Sequence, residues 1–356
     1  MISQNYSVGH WRRLIGASLL CLAPATADFL APAAADAQIV ESVGTRALGM
    51  GGAFVAVASD STATWWNPAG IAAGPFVDIG WGRDRLEVTE EAPAWRHKNS
   101  WFALGTPALG LSYYRLRITD FPSATSGGAA ATDRPVQSLA MSQLGVTIVR
   151  TLVSGVHVGT TLKRVRGVVR TGPLDNASLS DSAALSDALE QGESLEGGDF
   201  QSRYDLDVGF IAVSGPLRLG GTVRNVREPE FFGAGGSSDE SAAGMQLPRQ
   251  VRVGAAFDGA AVGSIPLTVA LDADVRTYMT TAGERRMIAL GAEQWMFNRR
   301  VAVRVGGRVN TRGTRESVAT VGLTVAAGGG LYLDGHAVRG GLEDERGWGL
   351  ATRISF

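Results

Sequence analysis

The sequence predicts an all-β protein: a transmembrane antiparallel β-barrel of about fourteen strands, preceded by a segment of a different pattern. Three observations carry the prediction. From Phe76 onward, apolar residues recur at every second position in one short segment after another. Short and longer links alternate between those segments, and a glycine-rich run without alternation precedes the first of them. Strand side chains point to opposite faces in turn, so such segments are ribbons with one oily side and one wet side.

The chain opens with Arg12 and Arg13, an apolar stretch from Leu14 to Leu22, and an Ala-rich run closing on Ala35, Asp36 and Ala37 before Gln38. This order is that of a secretory signal with an A-x-A cleavage site, so residues 1–37 are expected to be removed. The apolar stretch is too short to span a bilayer as a helix. The single cysteine, Cys21, lies inside the signal and follows Leu20, where lipid attachment would need a small residue. A mature chain starting near Gln38 then has neither a disulfide framework nor a thiolate metal site.

Net charge is -1, from 33 basic and 34 acidic residues, which leaves no nucleic-acid footprint. Hydrophobic residues make up 45% of the chain, yet beyond the signal no run approaches the length of a membrane helix. A membrane protein of this kind has to cross with strands.

Residues 38–75 form a segment of their own before the barrel. Gly49, Gly51 and Gly52 permit tight backbone paths, Asp60 and Ser61 offer turn or cap chemistry, and Asn67-Pro68 marks a further turn. Trp65 and Trp66 precede the barrel. They pack this segment against the barrel wall or help line a hydrophobic ligand site.

Residues 76–356 are assigned to the barrel. The clearest strand sets Val301, Val303, Val305 and Val309 on one face against Arg304, Arg308 and Asn310 on the other. Val251, Val253, Ala255 and Phe257 oppose Arg252, Gly254 and Asp258 in the same way, and Leu267, Val269, Leu271, Ala273 and Val275 oppose Asp272, Asp274 and Arg276. Short links near Gly105, Val153, Gly215, Gly263, Asn298 and Gly328 interleave with others centred near Glu91, Gly127, Glu190, Gly236, Gly283, Gly313 and Gly341. Short periplasmic turns and variable outer loops produce that rhythm, which places both termini on the periplasmic side. The last strand, Trp348 to Phe356, has the alternation and the terminal aromatic of bacterial outer-membrane barrels.

The longest link, about Thr171 to Gln201, carries Asp175, Asp181, Asp187, Glu190, Glu193, Glu196 and Asp199 and no basic residue. Leu179, Leu185 and Leu189 suggest a short surface helix begun by Ser180 or Asp181. Its acidity reads as a solvated loop, or as a cation-bridged contact with lipopolysaccharide or a partner.

The run Arg46 to Ala72 resembles the N-terminal plug of the FadL superfamily, which includes FadL-type hydrophobic-compound transporters and the PorV/PorQ family. Arg46, the Gly49 to Gly52 cluster, Val55 to Ala58 followed by Asp60, and Trp66-Asn67-Pro68-Ala69-Gly70 carry the likeness, and the Gly-Met-Gly-Gly cluster points to the PorV/PorQ side. The resemblance implies a fourteen-stranded barrel in the outer membrane of a Gram-negative-type bacterium, with residues 38–75 as an N-terminal hatch in its lumen. Phe54, Trp65, Trp66, Asn67 and Pro68 then become the hatch and ligand residues. The lumen charges are Arg252, Asp272, Asp274, Arg276, Arg304, Arg308, Asp334, His336 and Arg353, paired with one another and with the hatch. On the lipid face, a basic residue near the midplane would cost about 2 to 4 kcal/mol.

Two functions follow from the likeness. One is a conduit or binding protein for fatty acids or hydrocarbons, with a sideways exit for which Pro107 and Gly110 in the third strand are the candidates. The other is a PorV/PorQ-like accessory of protein export by type IX secretion. Expected partners are outer-membrane lipid and lipopolysaccharide, the barrel assembly machinery, and a hydrophobic small molecule or secretion components. No enzyme, cofactor or metal is expected. His97, His157 and His336 form no ligand pair; His336 shares a face with Asp334, an arrangement a barrel hydrolase could use, but no serine is placed beside them. The Gly44 to Gly52 run lacks the Lys-Ser/Thr of a phosphate loop.

Overall fold

The computed structural model describes residues 43–89, 94–121, 136–172, 182–233, 244–263, 265–280, 283–341 and 345–356. The proposed signal, residues 1–37, lies outside them, as do Asp175, Leu179, Ser180 and Asp181 of the acidic link. Fourteen antiparallel strands close into a barrel. They are β1 (Asp78–Val88), β2 (Ala94–Gly105), β3 (Leu109–Phe121), β4 (Val136–Val153), β5 (Val156–Gly172), β6 (Gln201–Ser214) and β7 (Leu217–Arg224), then β8 (Gln250–Asp258), β9 (Leu267–Asp274), β10 (Met287–Met296), β11 (Val301–Asn310), β12 (Ser317–Gly328), β13 (Leu331–Gly340) and β14 (Arg346–Ser355). Every neighbour in the ring is also a neighbour in sequence, except that β1 closes on β14. Closure leaves no strand edge unpaired, the condition for a sheet to sit in lipid.

On β8 to β12 the alternation has the polarity read from sequence. Val253, Phe257, Leu271, Leu290, Val303, Val305, Val321 and Leu323 face outward and are exposed, while Asp272, Asp274, Glu293, Arg304 and Arg308 point into the lumen and are buried. On β3 to β5 the polarity changes partway along each strand. Outward-facing Leu109, Leu111 and Tyr113 give way to Arg115 and Arg117, and inward-facing Gly110 and Ser112 to Tyr114, Leu116 and Ile118. In β5, outward Leu162 gives way to Arg164 and Arg166, and inward Thr161 and Lys163 to Val165 and Val169.

The switch runs across β1 to β4 in register and comes one row earlier on β5, where Arg164 is the partner of Leu144. Trp81, Phe102, Tyr113 and Leu144 are successive cross-strand partners, and the next outward row is Arg83, Ser100, Arg115, Ser142, Arg166 and Ser202. A tilted strand needs about 9–11 residues to cross a membrane. β4 has 18 and β5 has 17, so their ends toward the long loops extend past the apolar belt. There they follow the rule of a water-soluble barrel, apolar inside and charged outside.

Helix α3 (Ser182–Ser194) lies on the outer face of that extension, with Leu185, Ala188 and Leu189 packed on Ala94 and Val136. The acidic link is therefore more than a solvated loop. Glu193 pairs with Lys98 and lies 3.8 Å from Arg96, and its backbone carbonyl accepts from Arg117.

The hatch occupies the lumen. Helix α1 (Thr45–Gly49), helix α2 (Ala63–Trp66) and a 3-10 turn, Pro68–Ala73, are joined by tight links. Asn67 starts the 3-10 turn because its side-chain oxygen accepts from the Ala69 N–H and Pro68 suits the first position. Gly51 has φ 70°, and a Cβ there would come within 2.6 Å of the Gly307 backbone. The wall answers with its own glycines: a Cβ on Gly291 or Gly306 would meet the Met50 backbone at 2.4 and 2.3 Å. Backbone thus lies directly on backbone, a contact that only glycine allows.

Candidate functional site

Two systems meet where the hatch touches the wall: an ionic one on the β8 to β14 side and an apolar one on the β3 to β5 side. The ionic system holds the hatch. The Asp272 carboxylate accepts from the backbone N–H groups of Phe54 at 2.7 Å and Val55 at 2.8 Å. Glu293 receives Arg46 of the hatch in a two-pronged contact, 2.8 Å at each oxygen, and Arg304 of the wall at 2.6 Å. Two guanidiniums on one buried carboxylate satisfy both of its oxygens. Arg46 also reaches Asp60 at 3.4 Å, while Thr320 donates to the Gly49 carbonyl and the Ser61 N–H donates to Asp78.

The remaining predicted lumen charges are buried or nearly so and mostly engaged. Arg252 pairs with Asp274 at 2.8 Å, and Arg308 pairs with Glu345. Asp334 accepts from Thr324 and lies 3.6 Å from both Arg304 and Arg353, and Arg353 reaches Asp78 at 3.2 Å. Arg276 lies over the Tyr278 ring. The carboxylate nearest His336 is Asp84 of β1, at 3.7 Å, rather than the Asp334 of its own strand face. Among the described residues, no group of three or more His, Cys, Asp or Glu could hold a metal ion.

The apolar system begins at the hatch aromatics. Phe54 and Trp66 meet edge to face at 6.2 Å, and Trp65 packs on Tyr114 at 4.8 Å with the Arg224 guanidinium 3.9 Å from its ring. Trp66 donates to the Val43 carbonyl. The Asn67 amide bridges the Val55 carbonyl of the hatch, at 2.8 Å, and the Phe210 carbonyl of β6, at 2.9 Å. Pro68 lies against the wall at Gly159.

From Trp65 one continuous apolar cluster climbs toward the long loops through Leu116, Leu139, Met141, Val165 and Val169. It ends on Phe231, Met245 and Leu247. Phe231 and Met245 belong to a two-stranded ribbon, Glu230–Phe232 with Gly244–Gln246, in the link between β7 and β8. Gln201 holds this ribbon through both backbone groups of Phe232. On the opposite side of the hatch, toward the short turns, a polar cavity of about 360 Å³ is lined by Arg46, Ser59, Glu293, Tyr332 and Arg353.

The third-strand candidates for a sideways exit require a correction. Pro107 lies outside β3, in the turn where Thr106 and Leu109 exchange backbone hydrogen bonds. Gly110 is inside an unbroken ladder, paired with Gly105 and Thr147, and its missing side chain makes room for Thr64 and Ile71 of the hatch.

Tyr114, one of the barrel's aromatics, shares a 2.7 Å hydrogen bond with Thr64 of the hatch; sequence reading missed Lys163, which contacts Asp207 and Asn225 at 2.7 Å and Asp205 at 3.1 Å. It also missed the outward arginines of β3 and β5. A signal was present: Arg115 and Arg117 have the same parity as Leu109, Leu111 and Tyr113, a change of polarity without a change of register.

A family model described as the F plasmid transfer operon TraF protein matches residues 99–274, which run from β2 to β9 and leave out the hatch. No match is found among curated proteins. Among solved structures, the CymD monoaromatic hydrocarbon channel aligns at TM-score 0.60 with 13% identity, over 88% of this chain and 98% of that one. A Pseudomonas aeruginosa FadL homologue aligns at TM-score 0.59 with 8% identity, over 90% and 100% of the two chains. The Ralstonia pickettii toluene transporter TbuX aligns at 0.52 with 12% identity, over 89% and 99%. Likeness at these identities establishes the fold, a FadL-type barrel. None of the three is described as an export component, so the export reading and the PorV/PorQ assignment gain no support.

Proposed function

We propose that this protein is an outer-membrane conduit or binding protein for small hydrophobic compounds, with the apolar column between the ribbon and Trp65 as its entry path. The observation that carries this reading is the continuity of that column. A lumen needed only for stability could be filled by ion pairs, as on the β8 to β14 side. Here instead an apolar cluster connects the loop end to the aromatic residues of the hatch. Apolar ligands partition into such surroundings, and a few polar groups at the end fix their orientation.

The column is packed shut, so entry requires the ribbon to lift, and the hydrogen bonds of Gln201 set how readily it does. A sideways exit has its natural place between β6 and β7. Their strand ladder ends at Val208 and Val223; beyond it Asn225 turns through φ 53°, and the segments are held by the Val226 N–H on the Leu206 carbonyl and by Asp205 and Asp207, bonds that an exit has to break.

The test is permeation of a monoaromatic hydrocarbon and of a fatty acid into vesicles containing the folded protein. Wild type should exceed empty vesicles for at least one of them, and Phe231→Ala with Met245→Ala should be faster still. Uptake equal to that of empty vesicles for both compounds and both proteins would contradict the proposal.

A further inference from the structure

Directly beyond the aromatic row of β1 to β3, the outer wall carries a groove of about 610 Å³. Its floor is the row Arg83, Ser100, Arg115, Ser142 and Arg166, and Lys98 and Arg117 stand one row further on. The end of α3 roofs it with Glu193, and Phe200 closes one side, with the Arg166 guanidinium 4.6 Å and the Arg170 guanidinium 6.0 Å from its ring. Glu193 is already engaged with Lys98 and lies 3.8 Å from Arg96. Arg83 and Arg115 are exposed and have no carboxylate partner among the described residues. The outward rows of β8 to β12 hold no charged side chain at all.

We propose that this groove binds the phosphorylated glucosamine headgroup of a lipid A-type glycolipid in the outer leaflet. Three features of the groove fit that occupant. Its cations exceed its one carboxylate, so it is complementary to an anion with more than one charge, and arginine forks match phosphate oxygens. Serine hydroxyls lie between the arginines and can bond sugar hydroxyls. Tyr113, Leu144 and Leu162 are exposed immediately below on the same wall and offer acyl chains a surface. The occupant is therefore an anionic amphiphile, and the roof limits it to the size of a headgroup. This proposal rests on the outer-membrane placement proposed above and not on any transport activity.

The experiment uses the full chain, folded in detergent, and native mass spectrometry with three probes: diphosphoryl lipid A, the same lipid stripped of phosphate, and phosphatidylglycerol. Binding of the diphosphoryl form at least tenfold tighter than of either other probe is expected. The combined variant Arg83→Gln, Arg115→Gln, Arg166→Gln should lose that preference, while Arg339→Gln on another wall keeps it. Heat-shifted migration on gels confirms that each variant is folded, and Arg83→Lys, Arg115→Lys, Arg166→Lys should retain part of the preference if the triple glutamine variant fails to fold. Equal binding of the phosphorylated and stripped lipids overturns the proposal. So does a preference unchanged in the folded glutamine variant, or, in cells, a photo-crosslinker at Ser142 that captures protein and no glycolipid. Fractionation of the same cells reads the outer-membrane placement separately.

Discussion

Followed from their short turns toward the loop end, β3 and β11 diverge. β11 keeps Val301, Val303, Val305 and Val309 on its outer face and Arg304 and Arg308 on its inner face for its whole 10 residues. β3 starts that way and then exchanges the two environments at Tyr113 and Arg115. One wall ends at the apolar belt, and the other continues beyond it into water. The side chains did not change register; the solvent around the strand changed. An inside-polar pattern is thus a statement about what surrounds the barrel at that height, not about the barrel fold itself.

The largest effect that would disturb this contrast is expected on the ionic wall. Glu293→Ala leaves Arg46 and Arg304 buried without their shared carboxylate, and breaking a buried pair in this way costs about 3–5 kcal/mol. The hatch should become susceptible to limited proteolysis in folded protein, and the thermal midpoint of the gel-shift transition should fall.

Next comes a direct comparison of the two outer faces. Val305→Arg puts a cation on the lipid face of β11 and should cost about 2–4 kcal/mol in equilibrium folding into vesicles, whereas Ser142→Arg, in the basic row, should cost about 0–1 kcal/mol. Equal costs would show that the two walls meet the same surroundings. The smallest effect is expected from Glu193→Gln. It removes a partly exposed ion pair with Lys98, should shift folding by no more than about 1 kcal/mol, and that shift should shrink in high salt.

Much of this architecture was legible in the residues. Alternation placed the valines of β11 and the aspartates of β9 on their correct faces, and the rhythm of links located all the described turns. The hatch was legible through Gly51 and Asn67-Pro68, whose conformational demands are local. What sequence could not supply was pairing across the lumen. That Glu293 serves Arg46, or that Asp272 accepts from Phe54 and Val55, depends on separations of more than two hundred residues that no local pattern encodes. Pro107 and Gly110 misled for the converse reason. Each looked like a break in a strand, but one shapes a turn and the other makes room for the hatch. The apolar column escaped notice because it is assembled from β3, β4, β5 and the ribbon between β7 and β8, and a strand's alternation does not say what its inward residues meet.

The most direct test of the two-wall account is a depth scan of β3. The mature chain is expected to have no cysteine, so single substitutions Leu109→Cys, Leu111→Cys, Tyr113→Cys, Arg115→Cys and Arg117→Cys can each carry one spin label in protein folded into vesicles. The account predicts relaxation dominated by oxygen up to position 113 and by a water-soluble nickel chelate from position 115 onward. Oxygen-dominated relaxation through position 117 would contradict it.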